Sequence, residues 1–420
     1  MAFRWVWAAA LSGNSGRFAV LLVAGWEAYK LGHHSSIWPS MVSFLLLVPT
    51  ALFGLPAGGL ADRVNRARQA TVGQLINAAS CLLGGILAVI GHLDLAGDLL
   101  VTAMVGVGNS VQGPAWQSLV PALVGPERML NAGAVTRIAQ QGAELTGPAI
   151  GTVVLVTMGP GPVFLLCCVF YLAAAAMLWR VRHAAPPGVP ASGMRWHTHV
   201  AEGFAYVGRR KPLGTLMIWV GLHCSLTMAS IGILPAVAAA NLGGRPGAYG
   251  LLLTSFGIGS VVGPLALMSL RGQDRPVTLL GASGLLSGLP LVGLGIAHGT
   301  LLAVSCALLA GVGQAVFMAV IYASNMTVAE DGMRGRVASI QLSLTTGVMG
   351  LASLGWGALV GVLAPGLVIA IPGLAFAVAC GPFFARAASL HEGIVSRRLV
   401  AVAAAFAVNQ NGTPAGEQGD

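Results

Sequence analysis

Long apolar runs separated by short polar loops make up most of the chain. Twelve runs reach or exceed the roughly 20 mostly apolar residues that a helix needs to cross a bilayer. They predict spanning helices at about 5–30, 38–60, 70–92, 98–120, 131–157, 161–181, 213–239, 247–269, 277–297, 301–323, 337–363 and 367–387. The pattern therefore predicts an all-α polytopic membrane protein with twelve transmembrane helices in two six-helix bundles.

The composition supports a membrane protein. Of the 420 residues, 56% are hydrophobic and 8% are charged, and the mean hydropathy is +0.81. Soluble domains carry about 25% charged residues. So few charges cannot cover a protein of this size in water, and the bilayer must solvate much of its surface.

The basic residues predict the orientation of the chain. Lys30 and Arg245 fall on the side opposite the amino terminus, and Arg17 and Arg137 fall within predicted helices. The other eighteen of the 22 Lys and Arg residues fall on the side of the amino terminus. By the positive-inside rule we expect a plasma (inner) membrane protein with both termini in the cytoplasm. The net charge of +9 then serves orientation, and no nucleic-acid partner is expected.

One long hydrophilic stretch divides the chain. It predicts an N-terminal six-helix bundle at 1–181, a cytoplasmic linker at 182–212, a C-terminal six-helix bundle at 213–387 and a partly disordered cytoplasmic tail at 388–420. Within the linker, residues 200–207 are expected to form a short surface helix.

The two halves share a weak internal repeat. Gly106-Val107-Gly108-Asn109 in the fourth run matches Gly311-Val312-Gly313-Gln314 in the tenth, at an offset of 205 residues. The same offset relates Gly58 to Gly263 and Arg66 to Arg271. Parallel repeats of six helices place a binding site between two bundles in many transporters.

The polar loop after the second run is distinctive. It reads Gly58-Gly59-Leu60-Ala61-Asp62-Arg63-Val64-Asn65-Arg66-Ala67-Arg68 and resembles the signature loop of the major facilitator superfamily. It departs at Asn65, where the family pattern has glycine. Asparagine tolerates left-handed backbone conformations, so we expect the turn to be kept.

Further segments resemble one branch of that superfamily, which contains the enterobactin (siderophore) exporter and macrolide-type drug efflux proteins. They are 112–121 (QGPAWQSLVP), 147–151 (GPAIG), 248–252 (AYGLL) and 334–337 (RGRV). The resemblance implies a twelve-helix exporter that alternates between inward-open and outward-open states.

The resemblance also implies a cytoplasmic latch formed by Gly58, Asp62, Arg63 and Arg66. A carboxylate is stabilised by bidentate arginine and by a helix N-terminus. The alternative is an ordinary basic loop that happens to contain one acid.

Four ionisable residues, Arg17, Glu27, Arg137 and Glu144, lie inside the predicted helices of the first half. A charge at mid-membrane costs about 2.5–3.5 kcal/mol on insertion scales and usually faces a cavity and a partner. We interpret Glu144 as a proton-titrating carboxylate with Arg17 or Arg137 as its partner. The alternative is a fixed ion pair that joins two helices without titrating.

Two other ionisable residues allow two interpretations each. Glu27 near the outer end of the first helix either faces the headgroup region or provides a second proton or substrate site. His223 in the seventh run is either a buried, hydrogen-bonded core residue or a pH-responsive cavity residue.

Helices one, four, seven and ten are expected to line a mostly apolar cavity with a few polar groups, a combination that suits amphipathic cargo. The candidate cavity residues are Asn14, Phe18, Asn109, Gln112, His223, Met228, Gln314, Phe317, Tyr322 and Asn325. The same residues could instead pack the helices together.

These patterns predict a monomeric, proton-coupled exporter of an amphipathic small molecule, either a drug-like compound or a siderophore. Its expected partners are this substrate, protons and membrane lipid, without cofactor or metal. A lipid or lysolipid flippase of the same fold is the alternative. A polytopic membrane enzyme is a remote one, because the sequence has no P-loop, HExxH or Ser-His-acid arrangement.

Overall fold

The computed structural model describes residues 2–61, 64–124, 129–184, 196–269, 276–330 and 333–386, and within these ranges the chain is helical apart from short turns. The helices are α1 (Ala2–Leu31), α2 (Ile37–Ala61), α3 (Arg66–Val89), α4 (Leu95–Val124), α5 (Met129–Met158), α6 (Pro160–Arg180), α7 (Trp196–Arg209), α8 (Lys211–Leu226), α9 (Leu234–Leu242), α10 (Pro246–Ser269), α11 (Pro276–Ile296), α12 (Thr300–Val328), α13 (Arg334–Leu359) and α14 (Pro365–Arg386).

These helices account for all twelve predicted crossings. Within the described residues, eight helical stretches are long and apolar enough to cross a membrane, and α2 and α14 contain shorter apolar stretches. Helices α4 and α5 have 30 residues each. At a rise of 1.5 Å per residue, each helix is longer than the roughly 30 Å thickness of the hydrocarbon core. With α8 and α9 counted as one crossing, the predicted all-α polytopic architecture is confirmed.

Because successive crossings alternate in direction, every loop falls on one of two sides. We call the side where α1 begins and α14 ends the terminus side, and the opposite side the far side. The α2–α3 loop and α7 lie on the terminus side, and the α1–α2, α3–α4 and α9–α10 loops lie on the far side.

The seventh crossing differs from its prediction as one continuous helix. Helix α8 ends at Leu226, a 3₁₀ segment runs over Met228–Ile233, and α9 then starts with Pro235 in its first turn. Proline lacks an amide hydrogen and clashes with the carbonyl four residues earlier, so it ends one helix but suits the first turn of the next. The break brings Gly232 against Ser40 of α2, where a Cβ atom would lie 3.1 Å from the Ser40 Cα.

The predicted surface helix at 200–207 lies within the longer α7. One ion pair from this helix, and one from the residue that follows it, connect it to the second half. Arg336 of α13 donates to Glu202 at 2.8 Å, and Arg210, just after α7, pairs with Glu330. The Tyr206 hydroxyl accepts a hydrogen bond from the Glu330 amide at 3.1 Å.

The glycines of the internal repeat occupy equivalent places in the two halves. A Cβ atom at Gly106 would meet the backbone at Leu45 of α2, and one at Gly108 would meet Gly73 and Asn77 of α3. In the second half, a Cβ atom at Gly311 would meet the backbone of Phe256 on α10, and one at Gly313 would meet the backbone of Leu286 on α11. In each half, the GxG pattern thus lies on the helix whose backbone is in close contact with the backbones of two neighbouring helices.

Asn65 has a role different from the expected one. Its backbone is extended, with φ −63° and ψ 118°, so no left-handed turn is required. Its side-chain oxygen accepts a hydrogen bond from the Arg68 amide at 3.1 Å, which caps the N-terminus of α3. Its side-chain nitrogen donates to the Arg182 carbonyl at 2.7 Å, which links α3 to the segment after α6.

Candidate functional site

The first seam between the two halves is the packing of α5 against α10. A Cβ atom at Gly250 would meet the side chain of Thr152, and one at Gly257 would lie 2.7 Å from the Leu145 Cα. The Tyr249 hydroxyl also donates to the Leu21 carbonyl of α1 at 3.3 Å, and its ring stacks on Trp26. Glycine at these positions permits close contact between the halves.

The second seam is the packing of α2 against α13. A Cβ atom at Gly350 would lie 2.7 Å from a Val48 methyl group, and one at Gly357 would lie 2.9 Å from the Ser36 carbonyl oxygen. Near the middle of the two helices, a Cβ atom at Gly347 would lie 3.3 Å from the Ala51 Cβ.

Both seams run from the far-side ends of their helices to about the middle of the membrane. Beyond the last of these contacts, Leu52 and Phe53 of α2 are 63% and 54% exposed, and Arg137 of α5 is also exposed. Among the described residues, the close approaches between the halves are thus concentrated on the far side, and the interface is looser toward the terminus side.

Arg17 lies at this interface, at the depth where the seams end. It lines a small cavity together with Phe18 of α1, and its guanidinium carbon lies 5.6 Å from the Phe18 ring centre. The other half contributes Ile231 from the 3₁₀ segment and Met349 from α13. Arg17 is therefore placed where a molecule between the two halves would meet a positive charge.

Glu144 faces the opposite half from the middle of α5. Its side chain lies beside the Ser260 hydroxyl of α10, within electrostatic range of Arg17 and Arg137. Neither arginine is within the 4.0 Å of a direct ion pair with Glu144 in the described part of the chain. The three predicted charges are therefore neighbours that are not locked in one bridge, and whether Glu144 titrates stays a prediction.

Arg137 makes a contact across the interface. Its guanidinium carbon lies 5.3 Å from the centre of the Tyr322 ring on α12, within the range of a cation–π interaction. On its own helix, Arg137 reaches Gln140 at 3.5 Å. Tyr322, predicted as a cavity residue, thus faces the first half.

Asn109 and Gln112 take part in packing between α3 and α4. The Gln112 side chain donates to Asn109 at 2.8 Å. From α3, Asn77 donates to Asn109 at 3.0 Å and Gln74 donates to Gln112 at 2.6 Å. These amides join two helices of one half, so in this conformation they do not face the other half. The sequence contains a signal for this packing, because Gln74 and Asn77 in α3 have the same three-residue spacing as Asn109 and Gln112 in α4.

His223 lies in the packed core of the second half. Its side chain is fully buried, Nε2 is 3.0 Å from the Ser287 hydroxyl, and the ring stacks on Phe317 at 4.3 Å with Phe376 at 5.2 Å. This arrangement matches the interpretation as a buried, hydrogen-bonded histidine. Phe317 is buried with it and does not line the interface.

The other candidate cavity residues have mixed placements. Asn325 is buried and donates to Gln341 at 3.0 Å. Asn14 is half-buried and donates to the Ala10 carbonyl of its own helix at 2.8 Å. Gln314 and Met228 are half-buried; the Gln314 side-chain nitrogen has no hydrogen-bond partner within the described ranges.

Glu27 faces protein instead of headgroups. Its residue is 5% exposed, and its carboxylate lies 3.4 Å from Lys30 one turn later. Sequence reasoning missed its neighbour Asp98, which it placed at the edge of the fourth helix. The structure places Asp98 in the first turn of α4, fully buried and within electrostatic range of Glu27.

The latch lies largely outside the described residues. Gly58 falls in the last turn of α2, and Arg66 is the first residue of α3. Asp62 and Arg63 between them lie outside the described ranges, so the predicted latch contact stays a prediction.

Comparisons of the sequence with known proteins agree with this architecture. Residues 1–411 match a family described as transmembrane secretion effector. The chain is 27% identical over 330 residues to proteins named enterobactin exporter EntS from Citrobacter koseri and from Escherichia coli. Each alignment covers 76% of this chain and 77% of the relative.

Comparisons of the structure show the same fold. A POT family transporter in complex with a thioalcohol-conjugated peptide superposes with a TM-score of 0.74 at 10% identity, covering 92% of this chain and 96% of that one. A bacterial homologue of the human lysosomal transporter Spinster, in an inward-facing and unoccupied conformation, gives 0.68 at 16% identity, covering 94% and 97%.

The match over nearly the whole chain, the twelve crossings and the two glycine-lined seams agree with one another. The chain belongs to the transmembrane secretion effector family of major facilitator superfamily transporters.

Proposed function

We propose that this protein is a proton-coupled exporter that moves an amphipathic small molecule, drug-like or siderophore, by alternating access. The observation that carries the proposal is the position of Arg17, Glu144 and Arg137. These three charges, all on helices of the first half, face residues of the second half, respectively Met349, Ser260 and Tyr322.

The energetic cost of these charges supports a functional role. Ionisable residues inside membranes are retained where they face a cavity or an ion pathway. When Glu144 is ionised, it offsets one of the two arginine charges. When it binds a proton, both arginines attract whatever enters the interface. Protonation thus changes the charge of the site by one unit, which is what coupling to a proton requires.

The lining of the interface supports an amphipathic substrate. Arg17 is surrounded by Phe18, Leu21, Leu46, Leu47 and Met349, so a positive charge is set in an apolar surface. An apolar body with a negatively charged group fits these surroundings. The relatives named enterobactin exporter make a siderophore the first substrate to test.

The distribution of basic residues supports an orientation with the terminus side in the cytoplasm. In that orientation the closed far-side seams make the present conformation inward-facing. Asp62, with Arg63 and Arg66, would close the cytoplasmic side in the opposite conformation, and Gly58 would allow the loop to approach the other half.

The proposal is tested by transport in proteoliposomes. We expect an imposed pH gradient to drive a catecholate siderophore or a macrolide, and a sugar to serve as the negative control. If the protein moved a lysolipid but transported neither the siderophore nor the macrolide, the result would instead support a flippase. No movement of the siderophore, macrolide or lysolipid would contradict transport of amphipathic molecules altogether.

A further inference from the structure

Asp98 is a buried carboxyl group that the proposed mechanism does not use. It lies in the first turn of α4 near the far side and is 0% exposed. Neither of its carboxyl oxygens has a hydrogen-bond partner among the described residues. Its environment is therefore unusual even for a membrane protein, in which buried charges are normally paired.

An ionised carboxylate is unstable in such a place. Removing a charge from water without hydrogen bonds or a counter-ion is so costly that the group takes up a proton instead. The N-terminal end of α4 favours a negative charge, but this stabilisation is much weaker than the cost of complete desolvation.

An acidic neighbour on α1 makes ionisation harder still. Glu27 of α1 is within electrostatic range of Asp98 and is itself 5% exposed. Lys30 lies 3.4 Å from the Glu27 carboxylate, and its own side chain is 56% exposed. The positive charge of Lys30 is thus paired with Glu27, and a second negative charge on Asp98 would be repelled by Glu27.

The other ionisable groups named from the adjoining loops are exposed. Asp94, before α4, is exposed and accepts from the Gly97 amide at 2.8 Å. His92 of the same loop is exposed, and His34 of the α1–α2 loop packs on Tyr29.

Of the helices packed on α1 and α4, α10 presents Tyr249 against Trp26, and α6 carries Cys167, Cys168 and Tyr171. Helix α5 carries Glu144 near its middle and Arg137 toward the terminus side. Helix α3 adds the buried Cys81, whereas the described sequences of α2 and α9 contain no ionisable side chain.

We propose that Asp98 and Glu27 form a proton-binding carboxyl pair at the far side of the first half, with Asp98 carrying the proton in this conformation. The exposed Lys30 holds Glu27 between Asp98 and the far-side solvent. The pair is separate from Glu144, which lies near mid-membrane on α5. Proton binding by the pair does not depend on the proposed function, whereas a role of the pair in coupling proton movement to export rests on it.

The direct test is chemical labelling of the purified, full-length protein. Dicyclohexylcarbodiimide reacts with protonated carboxyl groups in apolar surroundings, and mass spectrometry locates the adduct. We expect Asp98 to be labelled at neutral pH at least about tenfold more than the exposed Asp94, and the labelling to fall about tenfold per pH unit once Asp98 ionises. Equal labelling of Asp98 and Asp94, or none at Asp98 at any pH, would overturn the proposal.

Two variants test the pairing. Glu27→Gln removes the neighbouring negative charge, so the midpoint of Asp98 labelling should move to lower pH. An unchanged midpoint would show that the two carboxyls are not coupled. Asp98→Asn should remove a protonated-carboxyl band from the infrared spectrum, whereas Asp94→Asn should leave that band in place.

The wild-type pH series requires no variant, so a folding defect in Asp98→Asn does not prevent the test. The outcomes also separate the two proposals. Labelling at Asp98 without proton-driven transport would keep the carboxyl pair and reject proton-coupled export, and the reverse result would reject the pair alone. Loss of labelling on addition of sodium at constant pH would identify a sodium site and overturn the assignment to protons.

Discussion

Arg137 on α5 lies over the ring of Tyr322 on α12, with 5.3 Å between the guanidinium carbon and the ring centre. This contact joins the two halves on the terminus side of the seams, where the described backbones no longer approach closely. It also places a positive charge next to Glu144. A change in the relative position of the two halves would therefore move Arg137 and alter the charge surroundings of Glu144.

Replacing Tyr322 should let the terminus side open further. An exposed cation–π contact contributes about 0.5–1 kcal/mol, so Tyr322→Leu should increase the ratio of open to closed molecules about two- to fivefold. Distances between spin labels on the terminus-side ends of α5 and α12 would report the shift.

Tyr322→Phe is the matched control, because it keeps the ring and removes the hydroxyl. The two variants should differ in their distance distributions. If Tyr322→Leu and wild type gave the same distribution, the contact would have no part in holding the halves together.

Gly257 should not tolerate alanine. Its Cβ would meet the backbone at Glu144 and Leu145, which cannot move aside as a side chain can. We expect Gly257→Ala to destabilise the protein by about 1–3 kcal/mol, seen as a lower unfolding temperature in detergent.

Gly247→Ala on the same helix provides the comparison. Its Cβ would lie 3.4 Å from a Val156 methyl group, which is an ordinary contact distance. Alanine also has a higher helix propensity than glycine. Its unfolding temperature should equal or exceed that of wild type. Equal loss in both variants would argue against a tight α5–α10 seam.

The two hydrogen bonds of Asn65 can be separated by substitution. Asn65→Ala loses the cap of α3, which costs about 0.5–2 kcal/mol, and the bond to the Arg182 carbonyl, which costs about 0.5–1.5 kcal/mol. Asn65→Asp keeps a capping oxygen but cannot donate to Arg182. The unfolding temperature should therefore fall more for alanine than for aspartate, and the opposite order would show that the cap is unimportant.

The ion pair that joins α7 to α13 should contribute little to stability. The side chains of Arg336 and Glu202 are 31% and 52% exposed, and such pairs measure about 0.2–1 kcal/mol. A double-mutant cycle of Glu202→Gln and Arg336→Gln should give a coupling energy in this range that declines in high salt. A larger coupling that is insensitive to salt would indicate that α7 is firmly fixed to the second half.

The sequence was sufficient for the crossings because each needs a long apolar run. It could not show the break at Met228–Ile233, since an apolar 3₁₀ segment has the same composition as an apolar helix. Pro235 and Gly232 were the available signals, but proline and glycine are common in membrane helices.

The site was only partly predictable for a similar reason. An isolated charge in an apolar run, such as Arg17 or Glu144, stands out in a sequence. The direction of a side chain around a membrane helix does not, because apolar residues face both lipid and protein. The sequence therefore left two interpretations open for Asn109 and His223, cavity lining or packing, and in the structure both make hydrogen bonds within their own halves. Asp98, at a helix boundary, was not among the candidate residues.

The most direct test of the central claim is to measure proton movement together with substrate movement. Purified protein is reconstituted into liposomes that contain a pH-sensitive dye, and a siderophore or macrolide gradient is imposed without a pH gradient. Wild type should move protons against the substrate flow, and Glu144→Gln should move substrate without protons or stop altogether. Proton movement in Glu144→Gln equal to that of wild type would contradict the assignment of Glu144, and substrate movement by wild type without protons would contradict proton coupling.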